Sequence, residues 1–240
     1  STQIHIPRAT PEARVRYAGM PRILRTRVTG VVHHVISRFV DRSWQLAGDE
    51  ERDGYLHRLG HALARSDWTL LGYGLMSSHV HLVLESGSGS LESWTKSAHS
   101  RMARWLNHRH GRLGPVFADR PFAEALAPDR VPYVLAYVHN NPVRARRVEW
   151  AGATSWTSHR AYLGLDPSRA RLCVQRGLAL CGYADDAEGR SRFDDWVRAC
   201  AEEQPERGNR IALYCYDSNA IISDALEALA QARRYGEEIN

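Results

Sequence analysis

Only Ser77 and Ser78 separate two apolar, β-branched runs, Trp68–Met76 and His79–Glu85. A connection that short joins antiparallel strands, because a parallel pair needs a crossover of a dozen residues or more. A hairpin is therefore fixed near the middle of the chain, and the remaining elements must be arranged around it.

Upstream, Val31–Arg38 is rich in β-branched residues and is predicted to be a first strand. Asp49 is a candidate cap for a helix running to about Arg65, with Tyr55, Leu59, Ala62 and Leu63 as its apolar stripe. Downstream, Gly87–Ser88–Gly89–Ser90 breaks the chain before a helix from Leu91 to His110. Its predicted core face is Leu91, Trp94, Ala98, Met102 and Trp105; Arg101, Arg104 and His108 lie opposite, with Arg112 just beyond. Gly111 and Gly114 end it, and Pro121–Leu126 is a candidate fourth strand with Pro121 at its edge. A further helix is predicted from Asp129, a candidate cap, to Asn140, with Pro132 tolerated in its first turn and Pro142 ending it.

The order β-α-β-β-α-β-α points to an α+β fold, a ferredoxin-like split βαβ antiparallel sheet covered by helices. After Tyr162–Leu163–Gly164 only helical patterns remain, at Ser168–Cys181, Asp185–Glu203 and Ser218–Tyr235. The expected organisation is an extended lead-in over 1–19, a catalytic domain over 20–165 and an α-helical C-terminal extension over 166–240.

No apolar run is long enough to span a bilayer, and Ser1–Arg8 lacks the apolar core of a secretory signal. The expectation is a cytoplasmic protein without membrane contact. The formal charge is +5, and the excess is arginine, Lys96 being the sole lysine. Arginine forks suit phosphate, although a coding bias toward arginine would give the same total. Cys173, Cys181, Cys200 and Cys215 form no C-x-x-C pair, which favours buried reduced thiols over a zinc site or a disulfide framework.

Candidate chemistry sits in two places. On the third strand His79 and His81 are two residues apart and project from one face, whereas Val80, Leu82 and Leu84 face the other. Two imidazoles on one sheet face can begin a divalent-metal site, but such a pair is also common on a solvated polar face. On the last predicted helix of the domain, Tyr133, Tyr137 and Asn141 are spaced four apart and share a face if the helix reaches Asn141. Packing tyrosines and a helix-ending asparagine would look the same. His57 and His61 also stand four apart but lack the glutamate of a His-Glu-x-x-His site, and are read as exposed.

Three segments taken together narrow these choices. Gly30–Arg38, Leu75–Glu85 and Tyr137–Ala145 resemble, in order, three motifs of the IS200-like tyrosine transposases, and most of all their REP-associated branch. Trp156–Gly164 resembles that branch's segment after the core, and the likeness runs from about Pro21 to Leu165, more loosely to Glu203. The chain departs from the family at Ser77–Ser78, where Pro-Asn is frequent before the histidine pair.

The resemblance implies a histidine–hydrophobic–histidine (HUH) nuclease core. His79, His81 and Asn141 would then be metal ligands and Tyr137 the nucleophile, with Tyr133 and His34 as supporting neighbours. The implied cofactor is Mg2+ or Mn2+. The implied reaction is endonucleolytic cleavage and strand transfer on single-stranded, hairpin-bearing DNA such as REP elements, through a 5′-phosphotyrosine intermediate. A divalent cation suits an anionic phosphodiester, and a free tyrosine, with a pKa near about 10, must be positioned and deprotonated to attack. The implied partner is nucleoid DNA, and the implied assembly a monomer or homodimer. Arg101, Arg104, His108, Arg112, Arg144, Arg146 and Arg147 are candidate phosphate contacts, while Trp150 and Trp156 could stack unpaired bases or belong to the core. The competing expectation is a catalytically silent hairpin-DNA-binding protein descended from a transposase.

Overall fold

In the computed structural model, residues 28–202 are described. The expected lead-in over 1–19, Cys215 and the helix expected at Ser218–Tyr235 lie outside them.

The described chain runs β1 (Val32–Arg38), α1 (Asp49–Leu63), β2 (Thr69–Leu75), β3 (His79–Glu85), α2 (Leu91–Arg109), β4 (Phe122–Ala125), α3 (Val131–His139), α4 (Asn141–Arg144), α5 (His159–Tyr162), α6 (Val174–Leu180) and α7 (Ala187–Glu202). Short 3-10 turns at Val40–Arg42, Pro128–Arg130 and Ala151–Ala153 connect them. The four strands form one antiparallel sheet in the order β2-β3-β1-β4. β1 and β2 therefore run parallel with β3 between them, and β3 and β4 run parallel with β1 between them. This interleaving is the split βαβ arrangement.

Strand alternation sorts the residues between two helical layers. Val80, Leu82 and Leu84 join Val35 against Tyr55, Leu59 and Leu63 of α1 and Trp94, Ala98, Met102 and Leu106 of α2. Val32, Leu71 and Val83, on the other side, meet Val131, Val134, Leu135 and Val138 of α3. Each alternate residue thus buries an apolar side chain against one layer, which fixes the register.

Two glycines let α3 lie close to the sheet. A Cβ on Gly74 would come within 2.9 Å of the Val138 carbonyl oxygen, and one on Gly72 within 2.6 Å of Leu135 Cδ2. The outer edge of β2 is occupied too. Leu75 donates its amide to the Trp156 carbonyl, the Ser158 amide donates to the Tyr73 carbonyl, and the Cys173 amide donates to the Leu70 carbonyl. The Tyr162 hydroxyl donates to the Leu71 carbonyl at 2.5 Å.

Several local expectations need correction. Gly48, rather than Asp49, is the N-cap residue of α1. Asp129 caps nothing: it lies inside a 3-10 turn, and α3 starts at Val131. Pro142 does not stop the helical path; the chain bends at Asn140 and resumes as α4, with Pro142 in its first turn, where its missing N–H costs little. Trp105 is half-buried and the inward position belongs to Leu106. The helix expected over Ser168–Cys181 is only Val174–Leu180, because Ala170 and Arg171 take left-handed conformations with φ of 52° and 62°. Cys173 and Cys181 are free thiols, and like Cys200 they are only half-buried.

The described part of the extension shares the main core. Leu172, Val174, Leu178, Phe193 and Val197 pack with Tyr162 and the sheet residues above. No helix among the described residues is long and apolar enough to cross a membrane.

Candidate active site

The face of the sheet that carries α3 also carries the histidines. His79 and His81 of β3 sit in register with Arg38 and Ile36 of β1, and His34 lies one diagonal step from His81. Opposed residues on antiparallel strands project to the same side, so Arg38, His34 and both β3 histidines share one surface. The His79 and His81 rings are 4.9 Å apart at 82°, while His34 stacks on His81 at 5.1 Å and 17°.

α3 delivers Tyr137 to this group. Its ring stands edge-on to His81 at 5.6 Å and to His34 at 6.1 Å. The Arg144 guanidinium, at the end of α4, lies 5.5 Å from the Tyr137 ring centre. Asn141 is buried, and its amide nitrogen donates to the Tyr137 carbonyl at 3.2 Å. That bond fixes the amide, leaving its oxygen as the end suited to a ligand. Tyr133 is directed elsewhere: it is half-exposed and its ring meets Trp196 of α7 at 5.1 Å. The structure therefore brings together His34, His79, His81 and Tyr137, with Arg144 against the Tyr137 ring and Asn141 one turn beyond Tyr137 on its own helical path, and separates Tyr133 from them.

The ring nitrogens are partitioned in a useful way. His81 Nδ1 is 2.9 Å from His34 Nε2, and His79 Nδ1 is 3.1 Å from the Ser78 hydroxyl. In both β3 histidines Nδ1 is engaged, and Nε2 is the nitrogen left for a ligand. A metal-binding histidine is normally held in this way by a hydrogen bond on its far nitrogen. Burial lowers the His34 pKa to about 4. Burial, then the charges of His34, His79 and Arg38, holds His81 well below the ordinary 6.5. Burial and Arg38 also depress His79. All three imidazoles are neutral at pH 7, the state a cation needs. Among the described residues no group of three or more His, Cys, Asp or Glu side chains is placed to hold a metal. Two neutral imidazole nitrogens on one face are chemically suited to begin a divalent-metal site, and an amide oxygen is the type of donor that would add to them while leaving positions open for phosphate oxygens and water.

Two exposed aromatics escaped the sequence reading. Phe122 on β4 is paired with Ile36, so it shares the histidine face, and it is 58 % exposed. Trp44 is 66 % exposed, with the Arg147 guanidinium 5.7 Å from its ring. Neither residue belongs to a motif; strand register identifies the first and only the folded chain the second. Trp150 and Trp156 are less available than expected. Arg198 covers Trp150 at 4.3 Å, and Arg52 and Arg169 flank Trp156 at 5.1 and 5.7 Å.

The expected arginine sites divide. Arg144, Arg146 and Arg147 follow the tyrosine helix, and Arg146 and Arg147 are exposed. Arg101, Arg104 and His108 belong to α2, which covers the opposite face of the sheet, and Arg112 lies in the turn beyond it. These four do not join the histidine site.

A second buried polar cluster backs the site. His139 Nε2 lies 2.8 Å from the Ser158 hydroxyl, its Nδ1 lies 3.2 Å from His159 Nδ1, and His159 Nε2 lies 2.9 Å from Asp194 of α7. The Asn140 side chain donates to the Val197 carbonyl at 2.6 Å. Through these bonds α7 is fastened to the C-terminal end of α3.

No protein-family profile matches the chain, and no curated protein matches it. Among solved structures, a REP-associated tyrosine transposase bound to a REP hairpin is similar over 62% of this chain and 89% of its own, at 17% identity and a TM-score of 0.48. A chain from Deinococcus radiodurans R1, provisionally described as a transposase, is similar over 48% of this chain and 94% of its own, at 19% identity and a TM-score of 0.36.

Proposed function

We infer that the chain is a divalent-metal-dependent endonuclease and strand transferase for single-stranded DNA with hairpins, of the transposase type, with Tyr137 as its nucleophile. The observation that carries this reading is the convergence of the Tyr137 ring on the His79–His81 pair, whose Nε2 atoms are left for a ligand. The ordered motifs noted in the sequence support it.

His79, His81 and Asn141 would hold Mg2+ or Mn2+, and the bound cation would neutralise phosphate charge. The protein's own groups do the rest. Arg38 and Arg144, flanking the histidines and the tyrosine, attract the scissile phosphate. The Tyr137 oxygen attacks phosphorus, the bond to the 3′ oxygen breaks, and the tyrosine proton passes to that leaving oxygen. The products are a 5′-phosphotyrosine and a free 3′-hydroxyl. In the reverse step a 3′-hydroxyl of another strand attacks the phosphotyrosine and the proton returns to Tyr137. One phosphodiester is exchanged for another, so no nucleotide cofactor is consumed. Phe122, exposed on the histidine face, offers a ring on which an unpaired base can stack beside the cut.

End-labelled hairpin oligonucleotides run on a denaturing gel with Mn2+ or Mg2+ test the reading. The wild-type chain should give a protein–DNA adduct, and Tyr137→Phe should give none while still binding DNA. Cleavage without an adduct would indicate attack by water and remove Tyr137 from its role. Binding without any cleavage would indicate a silent DNA-binding relative.

A further inference from the structure

The proposed metal site is short of negative charge. Its candidate donors, two imidazoles and an amide oxygen, are neutral, and the charged side chains already placed beside them, Arg38 and Arg144, are positive. A divalent cation entering such surroundings meets repulsion that neutral ligands do not offset. The elements that build this face hold few acids to answer it. α3 and α4 contain none, and the four strands contain two, Glu85 and Glu124. Strand alternation puts both on the histidine side: Glu85 is four residues beyond His81 in β3, and Glu124 of β4 pairs with His34.

Glu85 is already neutralised. Its two oxygens accept from the Arg176 guanidinium at 2.6 and 3.0 Å. Glu124 has no such partner. It is 8 % exposed, yet it makes no hydrogen bond or ion pair with another described residue. Burial alone raises its pKa above the ordinary 4.5, with no positive neighbour to bring it down. An acid buried without a partner costs stability, so packing does not account for its place on this face. Its oxygens are not sealed in, since both keep some contact with solvent.

The register sets how far this acid stands from the histidines. Across the sheet the row runs Glu124, His34, His81; directly opposed side chains are about 5 Å apart at Cβ, and the His34 and His81 rings are 5.1 Å apart. Glu124 is thus one strand too distant to be a ligand, in keeping with the lack of any group of three His, Cys, Asp or Glu placed to hold a metal among the described residues. Mg2+ and Mn2+ keep part of their water shell, and such waters donate to carboxylates outside the ligand set. We propose that Glu124 is the counter-charge of the metal centre, an outer carboxylate that retains the cation through charge and water rather than by ligation. This rests on His79 and His81 binding the cation, and it adds the group that lets a face carrying two arginines do so.

Calorimetric titration of Mn2+ into the full chain tests it, with Glu124→Gln, Glu124→Asp, His79→Ala and Glu188→Gln, the last removing an exposed acid of α7. Glu124→Gln keeps the shape and loses the charge, so Mn2+ affinity should fall about tenfold or more. The urea midpoint of the metal-free protein should hold or rise, because an unpaired buried charge is gone. Metal-free binding of a hairpin oligonucleotide, read by fluorescence anisotropy, should be unchanged or tighter. Glu124→Asp retains the charge and should retain most of the Mn2+ affinity. Equal affinity in wild type and Glu124→Gln would overturn the proposal, and so would an equal drop in Glu188→Gln, which would reduce the effect to net charge. A lower urea midpoint or weaker metal-free DNA binding in Glu124→Gln would make Glu124 a packing residue and overturn it as well. Wild-type Mn2+ affinity in His79→Ala would instead remove the metal reading on which the proposal rests, so the two failures are told apart.

Discussion

His159 Nε2 lies 2.9 Å from Asp194 Oδ1, with the His159 side chain entirely out of contact with solvent, and this bond ties α7 to the tyrosine helix. His159 reaches His139 on its other side, and His139 is the last residue of α3, two positions beyond Tyr137. The C-terminal extension therefore grips the element that presents the proposed nucleophile.

Asp194→Ala should loosen that grip. A buried imidazole loses its charged partner, and bonds of this type contribute about 1.5–3 kcal/mol. The expected result is a drop of that size in urea-denaturation stability, larger than for Asp195→Ala, whose carboxylate is outside the cluster. Equal losses in the two variants would deny the cluster any special part.

His34 should matter for the metal without being a ligand. It holds His81 Nδ1 at 2.9 Å, and removing such a partner typically lowers metal affinity about 10- to 100-fold. Titrating Mn2+ by calorimetry into His34→Ala should show that loss, whereas hairpin-DNA binding without metal should hold. Unchanged Mn2+ affinity would make His34 a packing residue.

Stability should fall in mild acid, and His99 is one reason. Its ring stacks on Phe117 at 4.0 Å, and burial lowers its pKa from 6.5 to about 4. Below pH 6.5 the unfolded chain takes up a proton that the folded chain refuses. The neutral-pH stability is therefore lost progressively between about 6.5 and 4, by up to about 1.4 kcal/mol per pH unit from this group. His34, His81 and His139, also depressed, act in the same direction. Urea melts across this range should have a shallower pH slope for His99→Phe than for wild type.

Gly74→Ala should displace α3. The new methyl would meet the Val138 carbonyl oxygen at 2.9 Å, a backbone atom that cannot swing aside. A cost of about 1–3 kcal/mol is expected in thermal or chemical denaturation, accompanied by slower adduct formation as Tyr137 moves away from the histidines. Wild-type stability in this variant would show that α3 tolerates a larger gap.

Much of the sheet was legible because strand periodicity and turn chemistry agree. β3 runs over His79–Glu85 as the alternation of histidine with Val80, Leu82 and Leu84 requires. The pairing of His79 with His81 needed only the two-residue period of a strand. Other features depend on contacts between distant segments. Arg38 and Phe122 join the histidine face through register, which no local pattern encodes. The His139–His159–Asp194 chain links residues 20 and 35 positions apart, and none of its members forms a motif with the next. Ala170 and Arg171 adopt positive φ without glycine, so the shortening of α6 had no signal in the sequence. The stripe of Arg101, Arg104 and His108 was visible on its helix, but which side of the sheet that helix covers was not.

The margin of β2 has a consequence for crowding. Leu70, Leu71, Tyr73 and Leu75 already spend their outward amides and carbonyls on Cys173, Tyr162, Ser158 and Trp156. An incoming strand from another chain would find no row of vacant hydrogen-bonding groups there, and its alignment would first require peeling these segments away. Along this border the sheet is guarded against runaway edge-to-edge growth, even where copies of the chain are crowded together.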